Sequence, residues 1–155
     1  PYVCSHITIF SKTYLSGYVG NYYGTPKNYV NKQLKSGKDV ILEIEIQGAL
    51  KVKEQFPNAI LIFITPPTTE ELKSRLIGRG TEGIDKIKQR LQRAADEVIH
   101  MDDYDYIVLN KTGKIDECVE TIHYIIQNEH CKTINNKNFI NKIQDELKAI
   151  KEGDL

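Results

Sequence analysis

Several things are scarce or missing in this chain, and each absence narrows what it can be. Net charge is one: 21 basic residues balance 21 acidic ones. Nothing therefore points to a nucleic-acid backbone or an anionic membrane as partner. Long apolar runs are missing, and a membrane span needs roughly 20 such residues. The opening Pro1-Tyr2-Val3-Cys4 has neither the basic region nor the long apolar core of a signal peptide, and no initiating Met. Cysteine is rare. Cys4, Cys118 and Cys131 are odd in number and far apart, which suggests free thiols in a reducing cytoplasm. His6, His100, His123 and His130 show no ligand spacing with cysteine, so a structural metal site is not expected. Internal repeats and low-complexity tracts are absent. At 155 residues the chain makes one domain with at most a small appendage.

A phosphate-cradling Gly-x-x-x-x-Gly-Lys-Ser/Thr loop is also missing. Gly37-Lys38 is followed by Asp39 and has Lys32 where the first glycine belongs, so it reads as a helix-to-strand turn.

Arginine is present in one place only. Arg75, Arg79, Arg90 and Arg93 are the only arginines. Their confinement suggests a local need for planar, multi-donor recognition of phosphate. Arg75 and Arg79, four apart, share the face of a helix end. Arg90 follows across a break made by Gly78, Gly80 and Gly83. A glycine-flanked segment of this kind suits a lid that swings guanidiniums onto a triphosphate.

The stretch from Asp39 to Gly48 organises the rest. Its β-branched content predicts a strand ending in a turn. Val40, Leu42, Ile44 and Ile46 alternate with Ile41, Glu43 and Glu45. Glu43 and Glu45 would share the polar face near the strand's C-terminal end, where open α/β sheets bind ligands. Carboxylates there suit the waters of a metal ion or the amino groups of a base.

Other elements follow from spacing. Thr25 and Pro26 open a helix carrying Tyr29, Val30 and Leu34, which Gly37 closes. A helix over 47–55 turns Leu50, Val52 and Phe56 inward. Ala59 to Ile64 is the continuous apolar run of a strand buried on both faces. Thr68 or Thr69 caps a helix with Glu70 and Glu71 in its first turn and Leu72, Leu76 and Ile77 inside. A longer helix over 84–100 carries an apolar stripe of Ile84, Ile87, Leu91, Ala94, Ala95 and Val98. Tyr106 to Asn110 is a third strand. A helix over 115–128 faces Cys118, Val119, Ile122, Ile125 and Ile126 inward. Residues 132–137 form a polar linker to a final helix with Phe139, Ile140, Ile143, Leu147 and Ile150. The alternation predicts an α/β fold with a parallel sheet and helices on both faces. Residues 1–19 have only irregular β character. His100 with Asp102 and Asp103 reads as a surface turn rather than a base or metal site.

A run of motifs carries a resemblance. They are Gly20-Asn21-Tyr22-Tyr23-Gly24-Thr25-Pro26, Ile44-Glu45-Ile46-Gln47-Gly48-Ala49, Pro66-Pro67 with Glu70-Glu71-Leu72, Arg75-Leu76 with Arg79-Gly80-Thr81, Gln89-Arg90-Leu91, and Tyr104 to Asn110. In this order and spacing the chain resembles the bacterial guanylate kinases, which transfer phosphate from ATP to GMP. The resemblance covers residues 20–128. It implies a nucleoside monophosphate kinase fold of the P-loop type, with a GMP-binding segment and a helical lid over 68–97. A guanylate-kinase-like domain over 1–130 and a helical extension over 131–155 go with it. Residues 1–37 would be the remnant of the GMP-binding region.

The resemblance also implies roles. Tyr23, Gly24 and Thr25 match the segment that holds GMP, and Glu45 the acidic position that accepts from guanine. Glu43 matches the acidic residue near Mg2+. Arg75, Arg79 and Arg90 match arginines that contact ATP and stabilise the transferring charge. Asn110 matches a position near adenine. GMP and ATP would be the ligands, magnesium the metal, the cytoplasm the location, and a monomer or homodimer the assembly. Residues 1–19 do not follow the family, and Tyr14 falls where it has a guanine-binding Glu. The family's P-loop belongs upstream of Tyr23, so the expectation is a chain inactive alone. The alternative is a catalytically dead, protein-binding member of the same fold. The retained Glu45, Arg75, Arg79 and Arg90 argue against it.

Overall fold

A computed structural model describes residues 5–10, 27–78 and 83–153. Two of the expected regions, the segment with Tyr23, Gly24 and Thr25 and the position of Arg79, lie outside the described residues. The elements follow in the order β1 (Ser5–Phe10), α1 (Lys27–Lys35), β2 (Val40–Glu43), α2 (Ile46–Gln55), β3 (Ile60–Thr65), α3 (Thr69–Gly78), α4 (Ile84–Val98), β4 (Tyr106–Leu109), α5 (Ile115–Cys131) and α6 (Lys137–Glu152). Short 3-10 turns at Met101–Asp103 and Thr133–Asn136 separate some of them.

The strand order is β2-β1-β3-β4. β3 and β4 pair in parallel, with Ile62 opposite Tyr106 and Thr65 opposite Leu109. β1 is antiparallel to both of its neighbours. The sheet is therefore mixed, which corrects the expectation of a parallel sheet throughout. β2, β3 and β4 do share one direction, and β1 runs against them between β2 and β3. Ile7 lies level with Glu43 on one side and Ile62 on the other. The irregular β character of residues 1–19 hinted at a strand but not at its central place or its direction.

β3 explains itself. Leu61, Ile62 and Phe63 have no exposed surface, as a strand covered on both faces requires. Its even-numbered residues Ile60, Ile62 and Ile64 join Val108 of β4 and Cys118 and Ile125 of α5 in one cluster. On the opposite face Phe63 meets the Tyr104 ring edge-on at 5.2 Å. A second cluster unites α1, β2 and the α2–β3 turn through Val30, Leu34, Val40 and Ala59, flanked by Leu42, Val52 and Phe56. Each fully buried Val, Leu, Ile or Phe among these contributes roughly 1.5–3 kcal/mol.

Several expected faces differ. Ile77 and Val119 are exposed rather than buried. Of the stripe on α4 only Ala94 is buried, and Ile84 and Val98 lie in the open. The helix stops at Val98, and His100 belongs to the following turn, where its Nδ1 lies 3.1 Å from Oδ2 of Asp103. The polar linker is ordered as the second 3-10 turn. Asn135 and Asn136 donate to the carbonyl oxygens of Glu129 and His130, each at 2.7 Å. Among the described residues no helix is long and apolar enough to cross a membrane.

Candidate active site

The organising strand is shorter than its alternation suggests. β2 ends at Glu43, and α2 begins at Ile46. The alternating pattern runs on to Ile46, but the chain turns into a helix before it. Glu43 and Glu45 are thus not neighbours on one strand face, which corrects that expectation. Glu43 is the exposed last residue of β2. Glu45 is the extended residue just before α2, with φ −68° and ψ 158°, and its carbonyl accepts the Ala49 amide at 2.9 Å. Its side chain does not cap that helix.

The Glu45 carboxylate instead meets Arg93 of α4. Arg93 Nη2 lies 2.7 Å from Oε1 of Glu45, and Arg93 Nε lies 3.4 Å from Oε1 of Glu97 one turn on. Glu45 and Arg93 are more than half exposed, whereas Glu97 keeps 14% of its side-chain surface. Burial pushes the Glu97 carboxyl above its ordinary value, with Arg93 working against the rise. The bond to Glu45 raises the Arg93 guanidinium above its own ordinary value.

A second cluster forms at the same end of the sheet, beyond β4. Arg75 Nη2 donates to Glu71 Oε1 at 2.5 Å and to the Asn110 carbonyl at 2.5 Å. Its Nε donates to Thr112 Oγ1 at 3.3 Å. Thr112 in turn gives its amide and its hydroxyl to Oε1 of Glu71, at 2.6 and 2.5 Å. The Asn110 amide binds the Thr65 carbonyl at 2.9 Å, which fixes the loop to the end of β3. The Thr112 hydroxyl, foremost, and Arg75 hold the Glu71 carboxyl below its ordinary value. Arg75 is thus tied to the loop after β4 rather than carried on a detached arm.

Two of the expected residues, Arg75 and Asn110, are brought together. Glu43 and Glu45 flank the β2–α2 turn, and Arg90 is half-buried on α4. Glu71, Thr112 and Glu97 were missed, and Arg93 was seen only as one of the arginines. Glu71–Arg75 and Arg93–Glu97 were legible as four-residue helical pairs. Thr112 carried no local signal. Among the described residues no cluster of three or more His, Cys, Asp or Glu could hold a metal ion.

Charged and polar side chains gather at the C-terminal ends of three co-directional strands, the end at which open α/β sheets bind ligands. Residues 13–129 match the family model described as guanylate kinase. The chain belongs to the guanylate kinase family. It is 50% identical to a guanylate kinase of Oceanobacillus iheyensis over 115 residues, which are 74% of this chain and 55% of the relative. It is 52% identical to that of Lactococcus lactis over 113 residues, 73% of this chain and 54% of the relative. A Bacillus cereus guanylate kinase is 51% identical over 115 residues, again 74% and 55% of the two chains. The chain thus spans about half the length of the curated relatives it matches.

Proposed function

We propose that the reaction of this protein is transfer of phosphate from ATP to GMP, giving ADP and GDP, within the P-loop nucleoside monophosphate kinase fold, and that this chain alone is inactive or nearly so because its sequence holds no P-loop. The observation that carries the reading is identity of half or more, across residues of this chain, to proteins named guanylate kinase. The site chemistry supports it. Glu45 presents an exposed carboxylate beyond β2, suited to accept from the N1–H and 2-amino groups of guanine. Tyr23, Gly24 and Thr25 are assigned to the GMP phosphate and base. Arg75, Arg79 and Arg90 are assigned to the phosphates of ATP, where fixed positive charge offsets the charge on the transferring group. Asn110 is assigned to adenine.

Glu43 is an exposed carboxylate on a strand end, the oxygen donor that a hard cation accepts through its waters. It would hold magnesium in that way together with nucleotide phosphates. Magnesium, when bound, neutralises phosphate charge. The free thiols Cys118 and Cys131 support a cytoplasmic location.

Calorimetric titration of GMP tests the base site directly. The chain should bind GMP, and Glu45→Gln should weaken binding at least ten-fold, since a carboxylate that accepts two donors becomes an amide that accepts with one oxygen. A folded chain that ignores GMP, or a variant equal to the parent, sinks the reading. A coupled assay for ADP from ATP and GMP then tests transfer: this chain alone should show little or none, and a version joined to an intact P-loop segment should turn over.

A further inference from the structure

Arg93 had no assigned role, yet it holds the carboxylate on which base recognition rests. Its Nη2 lies 2.7 Å from Oε1 of Glu45. A guanidinium edge and the N1–H/2-amino edge of guanine are chemically alike, because guanine contains a guanidine unit. Both are planar, and both present adjacent N–H donors that match a carboxylate. They are therefore rivals for one acceptor.

A second observation gives the displaced group somewhere to go. Glu97 lies on the same helix, four residues on, with its Oε1 already 3.4 Å from Arg93 Nε. Glu97 is mostly buried and strains against ionisation, so a closer guanidinium is favourable to it. Arg93 thus stands between two carboxylates, one exposed at the β2–α2 turn and one on its own helix. The Glu45 side chain is available for this exchange because it does not cap α2.

We infer that Arg93 is a further residue of the purine site: it occupies Glu45, and guanine binds by replacing it there while Arg93 turns onto Glu97. This rests on the reading of Glu45 as the base acceptor. Arg93 then sets a threshold that a ligand must exceed before it gains the carboxylate. The exchange also links the base to α4, the helix that carries Arg90. The threshold is modest, because an exposed ion pair is weak.

The test is calorimetric titration of GMP into the full chain, Arg93→Gln, Arg93→Lys and Glu45→Gln, with melting curves for each. Arg93→Gln should bind GMP about three- to five-fold more tightly than the parent. Arg93→Lys keeps the charge without the planar edge, and should fall between the two. A merely structural role for Arg93 would not tighten binding. Parent binding that Glu45→Gln weakens, with Arg93→Gln equal or weaker, overturns the inference and leaves the functional reading standing. No binding by the parent, or no effect of Glu45→Gln, overturns both.

Discussion

Arg75 and Asn110 lie 35 residues apart, yet Nη2 of the arginine donates to the asparagine carbonyl at 2.5 Å. The bond joins α3 to the loop after β4. The same nitrogen holds Glu71, and Glu71 holds Thr112. An arginine fixed in this way has its donors already oriented, as the proposed role in offsetting phosphate charge requires.

The Glu71 carboxyl, ordinarily at 4.5, titrates lower in the folded chain. A depressed folded value stabilises the protein fully above the ordinary value. That share is lost as pH falls through the folded one. The parent should therefore lose melting temperature in acid, and Glu71→Gln should lose less across the same range. Equal acid limbs in the two proteins would refute this role for Glu71.

Asp105 pins the start of β3. Its Oδ2 accepts the Leu61 amide at 2.8 Å and lies 2.7 Å from Lys53 Nζ, which also donates to the Ala59 carbonyl at 2.7 Å. Leu61 is fully buried, so its amide has no water to turn to. Asp105→Ala should cost about 1–3 kcal/mol in urea unfolding. Asp105→Asn keeps an acceptor and should cost less.

Phe63 has no exposed surface and packs edge-on against Tyr104. Phe63→Ala should cost about 3–5 kcal/mol, the loss expected for a buried aromatic. That is a large part of the stability of an ordinary domain. Thermal and urea unfolding should both show it, and a loss below about 1 kcal/mol would mean that the site collapses around the gap.

The Tyr106 hydroxyl donates to the buried Glu129, whose carboxylate also meets Lys132 at 2.6 Å. The bond to Glu129, foremost, raises the Tyr106 phenol above its ordinary 10.0. A raised folded value means that the stabilisation is complete below the ordinary value. It disappears as pH climbs through the folded one. Tyr106→Phe should cost about 1–3 kcal/mol near neutrality, because Glu129 loses a donor. The variant should also decline less than the parent in strong alkali, read by circular dichroism against pH.

The sequence by itself settled what depends on neighbours along the chain. The apolar run Ala59–Ile64 reads as a strand buried on both faces, and Ile60–Thr65 is one. The sequence offered Thr68 or Thr69 as the cap of α3, and it is Thr68 whose hydroxyl accepts the Glu71 amide, at 3.1 Å. The motifs from Glu45 to Asn110, and with them the family, were legible because their spacing is a property of the chain.

Tertiary structure decided the rest. Alternation continued past Glu43, so local pattern could not show that the chain leaves the sheet there and frees Glu45 to meet α4. Side-chain period fixes a face only where an element persists. Helical stripes on α4 predicted burial for Ile84 and Val98, but burial depends on what packs opposite, and among the described residues nothing covers them. Thr112 and Arg93 joined the site through contacts 41 and 48 residues away in sequence, with Glu71 and Glu45 respectively. The reversed central strand β1 is the plainest case: strand direction comes from which ladder the segment joins, and no period-two pattern encodes it.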